Sequence, residues 1–247
     1  MNATPPIAST SAPSRPATVR PRRVIDAPTR VFHWLFALCF LGAYLTADGE
    51  RWRLLHVTLG YTLAGLFAFR VAWGLAGPRH ARLALLLRKL SGGPAWLKSA
   101  ARGGSLAAIN WRQGQNLLMA LAVAALLALV VPVTLSGYAT YNDWGGEWLE
   151  DLHEAAGETF LWVVLAHLSL IAGLSVLRRK NQALPMLTGH VEGSGPDLVR
   201  NNHSAMAIVV LLAVLAFWSW EWQQSPNGLV PLQNGGAMTL QSDHDDD

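Results

Sequence analysis

Residues 113–142 read QGQNLLMALAVAALLALVVPVTLSGYATYN, a run without a single charged side chain. A helix needs about 20 apolar residues to cross the roughly 30 Å hydrocarbon core of a bilayer, and this run is longer than that. An average soluble domain, with roughly a quarter of its residues charged, does not contain such a stretch. The run therefore predicts a membrane-spanning helix, in which Pro132 and Gly137 indicate a kink or a late break.

Four further stretches outside this run also lack charge: 31–47, 54–69, 159–177 and 201–220. The first extends back to Pro28 and the second continues past Arg70 to Pro78, which gives each enough length to span. The composition agrees, since 51% of the 247 residues are apolar and only 14% are charged. We therefore expect an all-α integral membrane bundle, with a four-helix core and a fifth transmembrane helix, rather than a soluble enzyme.

Basic residues lie almost entirely on one side of the five predicted spans. Of the 19 Lys and Arg residues, only Arg51 and Arg53 fall on the opposite side. Because cytoplasmic loops carry the excess of Lys and Arg, this places the N-terminus in the cytoplasm and the C-terminus outside. Topology alone accounts for the net charge of +3, so no nucleic-acid partner is expected.

Acidic residues gather on the outer side instead, in the loop before the fourth span and in the tail Asp243-His244-Asp245-Asp246-Asp247. The loop residues are Asp143, Glu147, Glu150 and Asp151. Tryptophans also collect at the outer edge, as interfacial indoles do; these are Trp52, Trp144, Trp148, Trp218, Trp220 and Trp222. The two signals support the same orientation.

Four of the eight histidines fall within or at the ends of the predicted spans: His33, His56, His153 and His167. Ionisable residues at membrane depth are costly, which makes each of them a functional-site hypothesis. His153 and His167 are separated by about 21 Å of helical rise and an offset of only about 40°, so one helix presents both from nearly one face. Depth pairs His56 with His153 near the outer surface and His33 with His167 on the cytoplasmic side. The second pair differs in depth by about two turns, which tilt or an intervening ring must absorb.

Two pairs of facing histidines inside a helical bundle suit two six-coordinate haem b groups, with imidazoles on both faces of each iron. Zinc or copper would require three or four donors at one point, and the spans supply no further Cys, Asp or Glu at the right depth. Gly60 and Gly157 each follow an outer histidine by four residues, where a missing side chain lets a flat ring approach the backbone.

Several motifs carry a family resemblance. Residues 24–34 read VIDAPTRVFHW, 55–61 read LHVTLGY, 77–82 read GPRHAR, and 152–154 read LHE ahead of His167. In order and spacing they closely resemble the prokaryotic cytochrome b561 family, which includes the b-type cytochrome subunits of nickel–iron hydrogenases. The resemblance implies that the four histidines are the axial ligands of two b haems. It also implies electron transfer between the quinone pool and a redox partner outside the cytoplasm of a bacterium.

The chain accordingly divides into four segments. We expect a disordered cytoplasmic tail at 1–23, a four-helix di-haem core at 24–190, a loop and fifth transmembrane helix at 191–222, and an acidic extracytoplasmic tail at 223–247. The tail at 1–23 lacks the apolar core and cleavage pattern of a signal peptide. Cys39 is the only cysteine, which excludes a disulfide framework or a Cys-ligated cluster within this chain.

Arg70 and Arg79 are candidate partners for the propionates of the cytoplasmic-side haem, because guanidinium groups bind carboxylates bidentately. The favoured alternative is that Arg70 and Arg79 only contribute to the excess of basic residues on the cytoplasmic side. His80 could exchange protons at a quinone site near pH 7, although a solvated loop histidine is the favoured interpretation.

The predicted function is therefore a di-haem cytochrome of the bacterial inner membrane, with lipid and quinone as small-molecule partners and a periplasmic c-type cytochrome or redox subunit as protein partner. Two alternatives stay open. One is a membrane proton-relay or transport component, which would favour acidic residues inside the spans. The other is a haem-free anchor subunit for a dehydrogenase, in which the histidines are ordinary core residues.

Overall fold

The computed structural model describes residues 20–102, 109–193, 195–225 and 229 of the chain. Most of the predicted cytoplasmic tail at 1–23 and of the acidic tail at 223–247 lies outside the described residues.

Helices dominate the described part of the chain. In order they are α1 (Ala27–Leu45), α2 (Arg53–Ala76), α3 (Leu83–Ser91), α4 (Gly93–Arg102), α5 (Trp111–Tyr141), α6 (Glu147–Arg178), α7 (Leu184–Thr188) and α8 (Ser204–Gln224). Short 3₁₀ turns at Glu50–Trp52 and Arg79–Ala81 flank α2. Two-residue strands, β1 (Arg22–Arg23) and β2 (His190–Val191), pair antiparallel and join the two ends of the predicted core. The predicted all-α membrane bundle is confirmed.

Four helices among the described residues are long and apolar enough to cross a membrane. They are Glu50–Ala76, Trp111–Tyr141, Glu147–Arg178 and Ser204–Gln224. The first predicted span, α1, is not among them, because Arg30 and His33 in its first two turns lower its mean hydropathy. It nevertheless packs along both α2 and α8 as part of the bundle.

The helix boundaries differ from the uncharged stretches for a physical reason. Glu158 directly precedes the uncharged stretch 159–177, yet α6 begins about three turns earlier in the chain, at Glu147. Glu147 and Glu150 occupy its first turn, where negative charge interacts favourably with the helix dipole. Charged residues near the beginning of a membrane helix therefore do not mark the helix boundary.

Pro132 does not break α5, which runs through Pro132 and Gly137 to Tyr141. Of the kink or late break expected from the sequence, the late break is therefore wrong. Hydroxyl groups around the proline donate to nearby backbone carbonyls, with Thr134 Oγ1 at 2.7 Å from Val130 O and Ser136 Oγ at 2.6 Å from Pro132 O. These are the usual bonds of Ser and Thr side chains to the carbonyl four residues earlier in a helix, and they leave α5 uninterrupted.

The bundle is built from two helix pairs, with α1 packed along α2 and α5 along α6, and α2 joins the pairs by packing on α5. Phe160 of α6 closes the ring of helices by stacking on Phe40 of α1, with ring centres 4.5 Å apart. The fifth helix, α8, adds Val210 and Val214 to the buried core formed by α1 and α2. Trp218 Nε1 of α8 also donates to Thr62 Oγ1 at 2.9 Å. The fifth helix is thus part of the core.

Asp26 fixes the start of α1 and ties it to the end of α2. Its fully buried carboxylate caps the helix by accepting from Thr29 N at 3.1 Å. Trp73 Nε1 at 3.2 Å and His80 Nε2 at 2.9 Å donate to its other oxygen. Burial raises the pKa of Asp26, but the hydrogen bonds from Thr29, His80 and Trp73 outweigh burial and hold that pKa below its usual value. His80 is therefore not the solvated loop residue that we favoured from the sequence.

Candidate functional site

The four predicted histidines lie on three helices of the core, with His33 on α1, His56 on α2, and His153 and His167 on α6. Since α6 is one continuous helix over all of this range, it carries both of its histidines on nearly one face, about 21 Å apart along its axis. Each of them meets a histidine of a different helix.

His56 and His153 form the first pair, which we call the His56–His153 site. Their ring centres lie 5.9 Å apart and their planes are inclined at 84°. Two imidazoles bound to opposite faces of one metal ion have ring centres roughly 6 Å apart, because each metal–nitrogen bond is about 2 Å and the ring centre lies about 1 Å beyond the nitrogen. The observed separation fits one iron between the rings.

Backbone carbonyls orient both rings of this site. His56 Nδ1 lies 2.8 Å from Ala43 O, and His153 Nδ1 lies 3.0 Å from Val133 O and 3.3 Å from Ser136 Oγ. A carbonyl oxygen only accepts, so each Nδ1 must carry the proton, and the neutral ring then keeps its lone pair on Nε2. This is the tautomer of a metal-binding histidine whose second nitrogen is held by a hydrogen bond.

His33 and His167 form the second pair, the His33–His167 site. His167 is close enough to His33 to interact with it electrostatically. The Nδ1 atoms of both rings are buried and lack a hydrogen-bond partner. A buried nitrogen left unpaired costs about 1–3 kcal/mol, so unpaired buried nitrogens are uncommon outside functional sites. The pairing by depth thus agrees with the ring contact between His56 and His153. The pairing of His33 with His167 stays a prediction, which their electrostatic interaction supports.

The two predicted glycines leave open space beside the histidine pairs. A Cβ atom at Gly60 or Gly157 would meet no neighbouring helix within 4 Å. Each glycine lies one turn beyond a histidine of the His56–His153 site, on the same side of its helix. The space next to this pair can therefore accept the edge of a flat ring.

Gly137 has the opposite environment and was missed as a site residue. Its ideal Cβ position lies 2.7 Å from Cε1 and 2.9 Å from Nδ1 of His153, closer than real Cβ contacts allow. Only a glycine lets the His153 ring lie against α5 at this point. A glycine beside Ser136 within a predicted membrane span was the available signal, which we had interpreted as a kink or a late break.

The predicted arginines make other contacts. Arg70 Nη1 donates to Ala81 O at 3.1 Å, and Arg79 is exposed in the turn after α2. Their role toward a haem propionate stays a prediction.

Arg30 lies one turn before His33 on α1 and was counted from the sequence only toward topology. Its Nη1 donates to Leu187 O at 3.0 Å, while its Nε is buried without a partner. The spacing of three residues to His33 puts both side chains on one face, which makes Arg30 a further candidate for binding an acidic group.

No cluster of three or more His, Cys, Asp or Glu side chains that could hold a metal ion occurs in the described part of the chain. The candidate site consists of the two histidine pairs, a donor set that fits b-type haem.

The family profile for prokaryotic cytochrome b561 matches residues 24–189, a range that contains all four histidines. The chain belongs to the prokaryotic cytochrome b561 family. No curated protein and no solved structure shows a significant match to it. As a prokaryotic cytochrome b561, the protein is a membrane b-type cytochrome in electron transfer, and b-type haem is the group that its family binds. Helix α8 lies beyond the matched range of the cytochrome b561 profile.

Proposed function

We propose that this cytochrome b561 carries electrons across the bacterial inner membrane through two b haems, between the quinone pool and an extracytoplasmic redox partner. The observation that supports this most strongly is the pair of histidines at each of two levels of one bundle, both levels served by α6. Bound haem iron supplies a one-electron carrier that alternates between ferric and ferrous states.

The protein's own groups have distinct roles in this proposal. His56 and His153 hold one haem and His33 and His167 the other, each through a ring nitrogen. The carbonyls of Ala43 and Val133 keep the first two rings in the ligating tautomer. Gly60 and Gly157 leave room for a ring, while Arg70 and Arg79 bind propionates. Apolar helices exclude water from both sites.

The membrane orientation is also part of the proposal. The excess of Lys and Arg puts the His33–His167 site near the cytoplasm and the His56–His153 site near the periplasm. Electrons exchanged with a periplasmic c-type cytochrome or redox subunit then pass through the His56–His153 site.

Haem content tests the central part of the proposal. We expect two haems per chain in a pyridine haemochrome assay of the purified protein. Both should be extracted without breaking a covalent bond, because the single Cys39 provides no Cys-x-x-Cys-His attachment motif. A colourless protein, a single haem or covalently retained haem contradicts it.

Acidic residues at the His56–His153 end of the bundle support a basic protein as the redox partner. Asp143 lies just after α5, Glu147 and Glu150 occupy the first turn of α6, and Asp151 follows them, within one turn of His153. Exposed charges of this kind steer a basic partner over a Debye length of about 8 Å at physiological salt.

Neutralising these four carboxylates as Asn or Gln should slow electron transfer to a basic c-type cytochrome at low salt and matter little at high salt. Stopped-flow rates at two ionic strengths provide the measurement. Glu192→Gln, an exposed site beside β2, is the control and should leave the rate unchanged. Unchanged low-salt rates in the fourfold variant contradict this role and leave these residues with a part in topology and in the helix-dipole interaction of α6 only.

A further inference from the structure

Phe160 lies midway between the two histidines of α6. It follows His153 by seven residues and precedes His167 by seven, which corresponds to about 10 Å of rise in each direction. Seven residues return nearly to the same helix face, with an offset of about 20°. The three side chains therefore line one face of α6, with the aromatic ring between the imidazoles.

The same level is occupied by aromatic rings on α1. Phe40 stacks on Phe160 with ring centres 4.5 Å apart and planes inclined at 25°, and Phe36 lies 6.2 Å away at 29°. Phe40 follows His33 by two turns, and Ala43, whose carbonyl bonds His56, comes one turn later. On both helices the aromatic layer thus separates the level of the His33–His167 site from that of the His56–His153 site.

Phe160 is only 3% exposed, so this layer is closely packed. Electron transfer between two fixed centres is faster through closely packed atoms than across a gap, because a void removes the intervening atoms that couple the centres.

We propose that Phe160, stacked on Phe40, is a positioning residue that fills the space between the two haem sites and couples them for electron transfer. The proposal rests on the di-haem function above. With both haems bound, one would supply the electron and the other would accept it, while Phe160 itself would be neither oxidised nor reduced. No proton moves at the ring.

Phe160→Leu and Phe160→Tyr provide the test, since Leu removes the ring and leaves part of its packed volume empty, whereas Tyr keeps the ring. Phe217→Leu on α8 is the matched control, because the Phe217 ring lies against Trp220 of its own helix. Haem content, the absorption and EPR spectra of each ferric haem, and the thermal unfolding midpoint are measured for each variant. The rate at which an electron equilibrates between the haems is then followed after rapid photoreduction.

We expect Phe160→Leu to keep both haems with unchanged spectra while equilibration slows severalfold. Phe160→Tyr and Phe217→Leu should keep the rate of the unsubstituted protein. An unchanged rate in Phe160→Leu, or an equal slowing in Phe160→Tyr, overturns the coupling role and leaves a packing role. Loss of a haem in Phe160→Leu with full rescue of haem and rate by Tyr shows that the ring positions the sites and supports the proposal. Fewer than two haems in the unsubstituted protein contradicts the function itself.

Discussion

Replacement of His56 or His153 by Ala should remove one spectral component of the cytochrome and leave the other intact. The two rings lie 5.9 Å apart, centre to centre, so loss of either would remove one of the two ring nitrogens proposed to hold this haem. Replacement of His33 or His167 should remove the other component. Haem content should fall from two per chain to one in each variant.

Redox-resolved absorption spectra of the four single variants measure this effect. His190→Ala, in the two-residue strand β2, is the matched control and should retain both components. Loss of the same component in His56→Ala and His33→Ala contradicts the pairing by depth. Retention of both haems in all four variants contradicts the ligand assignment.

The helices themselves could be predicted because an apolar run long enough to span has few other stable structures. The contact between His56 and His153 could be predicted from the rise of 1.5 Å per residue, which converts sequence spacing on α6 into depth. Depth in the membrane is only one of the coordinates that define the position of a side chain. The angle by which each helix is turned about its axis depends on packing with its neighbours, and uniformly apolar helices contain little information about it.

This missing coordinate explains which site features escaped prediction. Ala43 O and Val133 O contact the histidines because α1 and α5 present these carbonyls toward the neighbouring ring. Nothing in the side chains of Ala43 or Val133 indicates that role. Likewise, His80 in a basic loop gives no sign that it bonds the buried Asp26, since that contact joins residues 54 positions apart. The place of α8 against α1 and α2 was equally unspecified by its sequence.

Replacement of Gly137 should have the second large effect on haem content. We expect Gly137→Val to lose the haem component of the His56–His153 site and to keep that of the His33–His167 site. Even the Cβ atom would approach His153 Nδ1 to 2.9 Å, so the ring must move away from Val133 O and Ser136 Oγ, which hold it. Overpacking of this kind typically costs about 1–3 kcal/mol, and here the strain falls on a proposed ligand.

The measurement is haem content together with redox-resolved spectra, and Gly137→Ala should show a weaker form of the same loss. Gly173→Val on α6 is the control, because a Cβ there meets no neighbouring helix within 4 Å. Combining Gly137→Val with His153→Ala should cause no loss beyond that of His153→Ala, since both act on one ring. Full retention of the His56–His153 component in Gly137→Val would mean that the ring can relax without its glycine. Loss of both components would indicate a folding defect in α5 and contradict the local effect expected here.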